Sequence, residues 1–273
     1  GLDHERRSAI VAGDALKAQR NEVNRRLARE KERRVEVIDE MRLIGSRIKE
    51  IDETILQLTS KLNGMLRDIP NLPDQSVPDG ETDSDNVEIK VSGEKPAFDF
   101  EPKPHWELGE KLEIIDLYRG AKLAGSRFYV LNGKGAKLQR ALTQWMLDLH
   151  TEQHGYREVY VPYLASAETV LSSGHLPHFK EEMYRDNEDD LWMIPTAEVP
   201  LTGLHGDEIL EPGLLPLNYV AYTACFRRER AAAGRETRGI KRVHQFDKVE
   251  LYKLVDPANS ASELDRLVAD VEE

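Results

Sequence analysis

The sequence lacks the features that mark membrane, secreted and multi-cysteine metal proteins. It has a single cysteine, Cys225, in 273 residues, so it can form neither a disulfide within the chain nor a zinc site built from several cysteines. No run of about 20 apolar residues is present to span a bilayer, and the first residues lack the apolar core of a signal peptide. We therefore expect a soluble protein of the reducing cytoplasm, with no membrane partner.

An excess of positive charge is also lacking. Fifty acidic side chains against 38 basic ones give a formal net charge of −12, which argues against a protein that coats nucleic acid. The charge is unevenly distributed, however. Residues 1–70 hold 15 basic and 13 acidic side chains, and six of the ten residues 25–34 are basic. This cluster predicts a small cationic patch on an otherwise acidic protein.

The clearest pattern in the chain is a heptad repeat in residues 35–69. Ten apolar residues recur there at alternating spacings of four and three: Val37, Met41, Ile44, Ile48, Ile51, Ile55, Leu58, Leu62, Met65 and Ile69. This spacing is typical of a helix that buries one narrow stripe against a partner helix. Residues 3–30 are also rich in helix formers, with similarly spaced apolar residues at Ala9, Ala12, Leu16 and Val23. We predict an antiparallel helical hairpin with its turn near residues 29–35; a homodimeric coiled coil is the alternative.

The rest of the chain is predicted to be a linker followed by a mixed domain. Pro70 and Pro73 end the second helix, and residues 71–104 are rich in proline, serine and acidic residues. Periodicity and turn residues then predict the following elements: a short strand at 87–91, helices over 108–122 and 134–154, a strand at 157–162, two longer strands at 218–227 and 243–255, and a helix from 260 onward.

The loop between the two longer strands contains the residues best suited to chemistry. It is rich in arginine and glycine, and the period of two places His244, Phe246, Lys248, Glu250 and Tyr252 on one face of the second strand. An arginine at the end of the first strand could clamp a phosphate, the aromatic ring could stack on a purine, and the carboxylate could bind an ammonium. A solvated basic hairpin with a core-facing aromatic residue fits the same pattern.

These residues resemble motif 2 of class II aminoacyl-tRNA synthetases, in the form found in bacterial-type seryl-tRNA synthetases. The resemblance rests on Phe-Arg-x-Glu at 226–229, the loop after it, and Arg-x-His-Gln-Phe-x-Lys-Val-Glu at 242–250. Other segments agree in the same order: the exit from the helical arm at 69–73, the motif 1 segment at 125–129 and 147–164, and a serine-binding Thr-x-Glu loop at 194–202. The similarity extends from about residue 3 to the end of the chain.

The resemblance implies a role for each residue at a matching position. Arg227 and Glu229 would be the catalytic residues, with Arg227 holding both the ATP α-phosphate and the amino-acid carboxylate. The serine pocket would be formed by Thr196, Ala197, Glu198, Arg227 and Glu250. The ATP site would be formed by Arg227, Arg228, Glu229, Val243, His244 and Phe246.

The resemblance also implies the fold and the partners. We expect an α+β protein with a coiled-coil tRNA-binding arm (1–70), a linker (71–104) and a class II antiparallel β-sheet domain flanked by helices (105–273). The enzyme would be a homodimer through its motif 1 region and would use ATP to load L-serine onto serine tRNA and selenocysteine tRNA. The arm residues expected to contact tRNA phosphates are Arg25, Arg26, Arg29, Arg33 and Arg34.

The chain departs from the family by having no motif 3. Mg²⁺ is implied by the nucleotide chemistry, but its ligands are not expected within these residues, and we expect the chain to be part of a longer enzyme. Two alternatives stay open: a non-catalytic synthetase-like paralogue that binds RNA or protein, and an amino-acid ligase that loads a carrier protein.

Several residues of types that often occur in functional sites are predicted to have only structural roles. His175 and His178 show no metal-ligand spacing and are expected at the surface. Cys225 is expected to be buried and inert, and Trp145 and Trp192 are expected to pack in the core. The glycines of residues 132–135 predict a turn, since the pattern of a phosphate-binding loop is incomplete.

Overall fold

The computed structural model describes residues 1–29, 35–230 and 237–273. It divides the chain into two compact units, Gly1–Val91 and Ser92–Glu273. Among these described residues, none of the helices combines the length and the apolar character needed to cross a membrane.

The first unit is an antiparallel helical hairpin formed by α1 (Leu2–Arg29) and α2 (Val35–Arg67). Its core consists of Val23, Ile44 and Ile48, which are 4–5% exposed. Ion pairs that join the helices, such as Lys17 to Asp52 at 2.9 Å, follow the antiparallel direction. The predicted hairpin is therefore confirmed, and α2 finds its partner within the chain. The predicted turn lies mostly outside the described residues.

The buried stripe differs from the predicted one at two places. Met65 and Ile69 are more than half exposed, and Ile69 lies beyond the end of α2 at Arg67. In the first half of α1 the buried position is Gly13, whereas Ala12 is exposed. A Cβ on Gly13 would lie 3.2 Å from Ile51 Cγ2, so the missing side chain lets the two helices approach closely.

The stability of the hairpin should depend on its few buried residues. Replacing Ile48 with alanine should destabilise it by about 2–4 kcal/mol, since the change removes buried methyl groups and leaves a cavity. Urea unfolding followed by helical circular dichroism would measure the loss. Leu56→Ala is the matched control, because Leu56 is 71% exposed on the same helix. Equal losses in both variants would contradict the assigned core.

Residues 68–91 follow the hairpin without a strand. A single 3₁₀ turn, Asp83–Asp85, interrupts an extended path. The strand predicted at residues 87–91 is wrong: Val87, Ile89 and Val91 are 66–97% exposed, and no described strand pairs with them. Apolar alternation is insufficient to form a strand where there is no neighbouring strand to accept its hydrogen bonds.

The second unit contains six helices among its described residues. They are α3 (His105–Lys111), α4 (Leu117–Ala124), α5 (Lys134–Glu152), α6 (Ala167–Ser172), α7 (Glu198–Gly203) and α8 (Ser260–Glu272). The single helix predicted over residues 108–122 is wrong, because Glu113 adopts a left-handed φ of 56° and the chain forms strand β1 (Ile115–Asp116) before α4 begins. The helices predicted at 134–154 and from 260 are confirmed.

Three small sheets organise this unit. Strand β1 pairs with β2 (Val130–Leu131). The main sheet has the order β3–β7–β8, in which the long strands β7 (Leu217–Phe226) and β8 (Gln245–Leu254) pair antiparallel without interruption. Strand β3 (Arg157–Glu158) is shorter than predicted and pairs with β7 in parallel. The third sheet has the order β4–β6–β5, which are Leu164–Ser166, Leu191–Met193 and Arg185–Asp186.

Both faces of the β7–β8 pair are covered, and this explains the nearly continuous apolar sequence of β7. On one face Val220 packs with Leu147 of α5 and with Tyr156. On the other face Tyr219 and Ala221 pack with Leu201 of α7. That second face also carries the polar side chains of β8, so α7 and the loop before it lie beside them.

Candidate active site

Strands β7 and β8 bring the predicted polar residues onto one face. Phe246, Lys248, Glu250 and Tyr252 alternate along β8 and therefore point to the same side of the sheet. The prediction that they share a face is confirmed for these four residues, whereas His244, the fifth residue of that prediction, lies before β8 begins. Tyr252 closes one end of the row, where its hydroxyl lies 3.0 Å from the hydroxyl of Thr202.

A polar cluster forms where the loop before α7 meets this face. The hydroxyl of Thr196 donates a hydrogen bond to Glu250 Oε2 at 2.7 Å, and Lys248 Nζ donates to the same hydroxyl at 2.7 Å. Lys248 also forms an ion pair with Glu250. Thr196 is 3% exposed and the neighbouring Ala197 is fully buried, whereas Glu198 is exposed. Residues 54 apart in sequence thus form one charged, partly buried cluster.

The loop is fixed in place by backbone hydrogen bonds to the end of β7. The amide of Phe226 donates to the carbonyl of Ile194 at 2.9 Å, and the amide of Ile194 donates to the carbonyl of Tyr163 at 3.0 Å. Ile194 is completely buried. A rigid scaffold of this kind holds a polar pocket in one geometry, which is what selective binding requires.

Arg227 lies directly after β7 and beside this loop. Its Nε donates a hydrogen bond to the carbonyl of Pro195 at 3.2 Å, and its guanidinium carbon lies 5.1 Å from the centroid of the Phe246 ring. The contact with Pro195 uses Nε and leaves the two terminal nitrogens for other partners. A planar guanidinium held in this way suits bidentate binding of a carboxylate or a phosphate.

Arg227 and Phe246 also line an open cleft of about 490 Å³. Its other lining residues are Glu229, Ile240, Lys241, Arg242 and Val243. Glu229 has a φ of 48°, and Arg242 donates to its carboxylate at 3.2 Å. The carbonyl of Glu229 accepts a hydrogen bond from Arg127 Nη1 at 2.7 Å. With three cations, one carboxylate and one aromatic ring, the walls suit an anionic ligand that carries a flat ring.

Two of the predicted ATP contacts point elsewhere. Arg228 donates from Nε to the carbonyl of Met183 at 2.8 Å, and its guanidinium lies over the ring of Tyr184 at 4.5 Å. The His244 ring nitrogen Nδ1 lies 3.0 Å from the carbonyl of Arg227. Neither side chain lines the cleft. The contact predicted for His244 is made by its backbone, so the direction of its ring does not test that prediction. Their roles as ATP contacts stay predictions.

Sequence reasoning missed the residues that fix the far wall of the cleft. The amide of Ile240 donates to His105 Nε2 at 2.9 Å, and the Arg238 guanidinium lies 5.7 Å from the Trp106 ring. Gly239 has a φ of 78°, and a Cβ there would lie 2.0 Å from His105 Nε2. No spacing rule connects residues 135 positions apart, so only the folded chain reveals this contact.

The His105 contact should control how firmly that wall is held. His105→Phe keeps a ring but removes the acceptor, so we expect amide exchange at Ile240 to accelerate by about tenfold or more. Hydrogen exchange followed by NMR would measure the rate. His105→Gln offers a replacement oxygen and should restore part of the protection, whereas His178→Phe is an exposed control. Equal protection in the His105→Phe variant and the unmodified chain would contradict the contact.

The residues predicted to be structural have mixed outcomes. Cys225 is fully buried as predicted, and burial raises the pKa of its thiol. His178 is exposed, but the prediction for His175 is wrong: this side chain is half-buried, lies 3.0 Å from the Ser173 hydroxyl, and has a pKa lowered mainly by burial, with Glu198 opposing the shift. Trp192 is buried as predicted, whereas Trp145 is 56% exposed.

The structure describes only part of the predicted tRNA-binding cluster. Arg25 is exposed and lies 3.9 Å from Glu22, and Arg26 forms a 3.5 Å ion pair with Glu40 of α2. The side chain of Arg29 and the whole of Arg33 and Arg34 lie outside the described residues. Within the described ranges 1–29, 35–230 and 237–273, no group of three His, Cys, Asp or Glu residues is placed to hold a metal ion.

Known proteins resemble this chain over its whole length. Residues 1–73 match the seryl-tRNA synthetase N-terminal domain, and residues 179–273 match the tRNA synthetase class II core domain (G, H, P, S and T). Serine–tRNA ligases from Dehalococcoides mccartyi and Roseiflexus sp. are 52% and 53% identical to it over 272 and 273 residues. Those alignments cover 99–100% of this chain and 64% of each relative, so the chain spans about two thirds of their length.

Solved structures of seryl-tRNA synthetases also resemble this chain over nearly its whole length. Seryl-tRNA synthetase from Pyrococcus horikoshii, solved in complex with ATP, superposes with a TM-score of 0.89 at 33% identity, covering 99% of this chain and 66% of that protein. The cytoplasmic serine–tRNA ligase from Naegleria fowleri, solved with AMP, superposes with a TM-score of 0.82 at 25% identity, covering 99% and 63%. The predicted α+β class with an N-terminal helical arm is confirmed.

Proposed function

Because the chain belongs to the seryl-tRNA synthetase family, we propose that it is the part of a serine–tRNA ligase that binds tRNA through its arm and activates L-serine with ATP. Residues 1–70 would be the arm, residues 71–104 the linker, and residues 105–273 the activating domain. The partly buried cluster of Thr196, Lys248 and Glu250 beside Arg227 is the observation that carries this proposal. It provides hydrogen-bonding groups for an ammonium and a hydroxyl next to a cation suited to a carboxylate.

Serine would bind with its polar groups divided among these residues. Thr196 and Glu250 would receive the ammonium and the hydroxyl, with Ala197 and Glu198 completing the pocket, and Arg227 would hold the carboxylate. A pocket built from buried hydrogen-bonding groups rejects alanine strongly, because a ligand without a hydroxyl leaves those groups unpaired. Threonine has the hydroxyl and would have to be excluded by shape.

ATP would occupy the cleft that Arg227, Glu229 and Phe246 line. The Phe246 ring would stack on the adenine, and Glu229 and the backbone near Val243 would contact its edge. A serine carboxylate oxygen would attack the α-phosphorus, a new P–O bond would form, and the bond to the pyrophosphate would break. Arg227 would neutralise the charge that develops on the α-phosphate, so the chain acts by positioning and electrostatics.

The adenylate would then be consumed by a tRNA. A terminal hydroxyl of serine tRNA, or of selenocysteine tRNA, would attack the activated carbonyl and release AMP. Mg²⁺ would accompany ATP and screen its phosphates. Among the described residues, no three His, Cys, Asp or Glu side chains lie together as ligands for it. The steps above therefore use only the substrates and the side chains named for them.

We further propose a homodimer located in the cytoplasm. Leu138, Leu142 and Trp145 are 47–57% exposed on α5 and recur at a spacing that places them on one helix face. This exposed apolar stripe lies between the two parts of the motif 1 segment and supports a subunit contact there. The single cysteine is buried and unpaired, which suits a compartment where thiols stay reduced.

Amino-acid-dependent ATP/pyrophosphate exchange tests the activation step before tRNA is involved. The chain would be assayed with serine, threonine, alanine, glycine and cysteine in parallel, and we expect exchange with serine alone. Exchange with another amino acid would overturn the assignment of the pocket. If this chain shows no exchange, a version extended to the length of its relatives decides, because continued inactivity would favour the non-catalytic RNA- or protein-binding alternative. A protein that only bound RNA or protein would not need Thr196, Arg227 and Glu250 in this arrangement.

The arm should contribute to tRNA affinity and leave activation unchanged. Replacing Arg25 and Arg26 with alanine should weaken tRNA binding and reduce the slope of log affinity against log salt by about 0.7–0.9 for each lost phosphate contact. Filter binding over a range of salt concentrations would measure both. A variant with both Arg6 and Arg7 replaced by alanine, at the opposite end of α1, is the charge-matched control. A parallel loss of ATP/pyrophosphate exchange would contradict this division of roles.

A further inference from the structure

Lys248 is the one member of the polar cluster to which the sequence assigned no role. It lies on β8 between Phe246 and Glu250, and its side chain is 31% exposed. Its Nζ donates to the Thr196 hydroxyl at 2.7 Å and pairs with Glu250 Oε2. A lysine ammonium therefore sits, in the ligand-free chain, on the two groups proposed to receive the ammonium of serine.

The Thr196 hydroxyl has no hydrogen-bonding capacity left in this arrangement. A hydroxyl offers one donor and two acceptor positions. Thr196 donates to Glu250 at 2.7 Å, and it accepts from Lys248 at 2.7 Å and from the amide of Glu198 at 3.2 Å. A ligand group that bonds to this hydroxyl must therefore displace one of the three.

Lys248 is the partner that can leave. The amide of Glu198 belongs to the first turn of α7 and cannot move alone, and Glu250 is 21% exposed on a central position of the strand. Lys248 has a flexible four-carbon stem and the most exposed of the three side chains in the cluster. Its ammonium can swing toward water without any movement of the backbone.

We propose that Lys248 is a resident cation that the ammonium of the substrate replaces. In the empty site it neutralises and orients Glu250, which would otherwise be an unpaired, mostly buried carboxylate. Serine brings an ammonium of the same charge and takes over both hydrogen-bonding groups. This inference rests on the proposed function, since it takes serine as the ligand, and it makes Lys248 a positioning residue that determines specificity.

This replacement would let the site distinguish an amino acid from a carboxylic acid of similar shape that has no ammonium. A ligand such as 3-hydroxypropanoate has the carboxylate and the hydroxyl of serine but no ammonium. It has no positive charge that could replace Lys248 beside Glu250. The lysine would therefore remain in place, and the ligand would not form the hydrogen bonds that Lys248 occupies. Only a ligand with an ammonium completes the exchange.

Chemical labelling of Lys248 tests the resident pair without relying on serine binding. Acylation needs access to the amine nitrogen of Lys248, which the ion pair with Glu250 and the hydrogen bond to Thr196 restrict. Site-resolved mass spectrometry should therefore show slow labelling in the chain itself and severalfold faster labelling in Glu250→Gln. L-Serine should accelerate labelling of the unmodified chain, whereas 3-hydroxypropanoate should not. Equal labelling in the two proteins, or slower labelling with serine, would overturn the inference.

Binding measurements on Lys248→Met test the competition directly. Removal of the competing cation should raise the ratio of the affinities for L-serine and 3-hydroxypropanoate by about tenfold, the equivalent of one hydrogen bond to a charged group. Calorimetry would measure both affinities, with Lys122→Met as an exposed, charge-matched control. An unchanged or smaller ratio would overturn the inference, because a general loss of structure would weaken both ligands alike.

The two experiments separate failure of this inference from failure of the proposed function. If neither the unmodified chain nor a version extended to the length of its relatives binds serine or supports serine-dependent exchange, the proposed function fails. The labelling comparison without serine still decides whether Lys248 is the partner of Glu250. If serine binds but the affinity ratio does not rise in Lys248→Met, the proposed function stands and the role of Lys248 is wrong.

Discussion

Arg227→Ala is expected to lower the rate of serine-dependent ATP/pyrophosphate exchange by about 100- to 1,000-fold, the effect typical of removing one preorganised group that stabilises a developing charge. The arginine is held by the Pro195 carbonyl and the Phe246 ring, so its guanidinium needs little reorganisation to meet the α-phosphate. Because it would touch both the carboxylate and the phosphate, we expect kcat to fall and KM for both substrates to rise. Steady-state exchange kinetics would measure these constants.

Two variants show whether the loss belongs to the guanidinium itself. Arg227→Lys keeps the charge but loses the planar fork, so it should recover only part of the activity. Arg228→Ala is the adjacent control: its guanidinium lies on Tyr184 and bonds to the Met183 carbonyl. We expect it to reduce thermal stability more than exchange. Equal losses of exchange in Arg227→Ala and Arg228→Ala would contradict the placement of Arg227 in the reaction.

The hairpin could be predicted from the sequence because its pattern is local. A heptad stripe such as that from Val37 to Leu62 needs one long partner, and the nearest helix in the chain supplies it. The limits of the stripe depend on the partner as well. Gly13 is buried because Ile51 lies against it, and no property of residues 1–30 alone distinguishes Gly13 from the alanines beside it.

The pairing of β7 with β8 could also be predicted, since two long apolar strands joined by a polar loop favour an antiparallel hairpin. The alternation along β8 then fixed which of its side chains share a face. Which of them reach the cleft depends on how the loops close around the sheet. The Arg228 side chain contacts Tyr184 and the Met183 carbonyl, and the His244 ring contacts the Arg227 carbonyl, so neither side chain lines the cleft.

The remaining differences arise from contacts between distant segments. The break in the helix predicted over residues 108–122 lies between Gly109 of α3 and Gly120 of α4. A Cβ on these glycines would lie 2.6 Å from Ile115 and 2.4 Å from the Phe128 carbonyl oxygen. His105 likewise acquires its position from Ile240. A window of sequence contains no record of such neighbours, so helix propensity and histidine spacing were insufficient.

Thr196→Val should be the most damaging single change to serine binding. Valine matches threonine in size but has no hydroxyl, and Thr196 is 3% exposed with three hydrogen-bonding partners. The change would leave Glu250, Lys248 and the Glu198 amide each short of a partner. We expect KM for serine to rise about 10- to 100-fold and the free energy of unfolding to fall by about 1–3 kcal/mol. Exchange kinetics and urea unfolding would measure the two effects.

The effect on serine can be separated from the effect on stability. Thr196→Ser restores the hydroxyl, so it should recover most of the affinity for serine even though the missing methyl group costs some packing. KM for ATP should stay nearly constant in both variants, because the cleft of Arg227, Glu229 and Phe246 does not include Thr196. A Thr196→Val protein whose KM values for serine and ATP rose together would show that the hydroxyl supports the whole site. In that case Thr196 would have to be reassigned from the serine pocket to the framework that holds it.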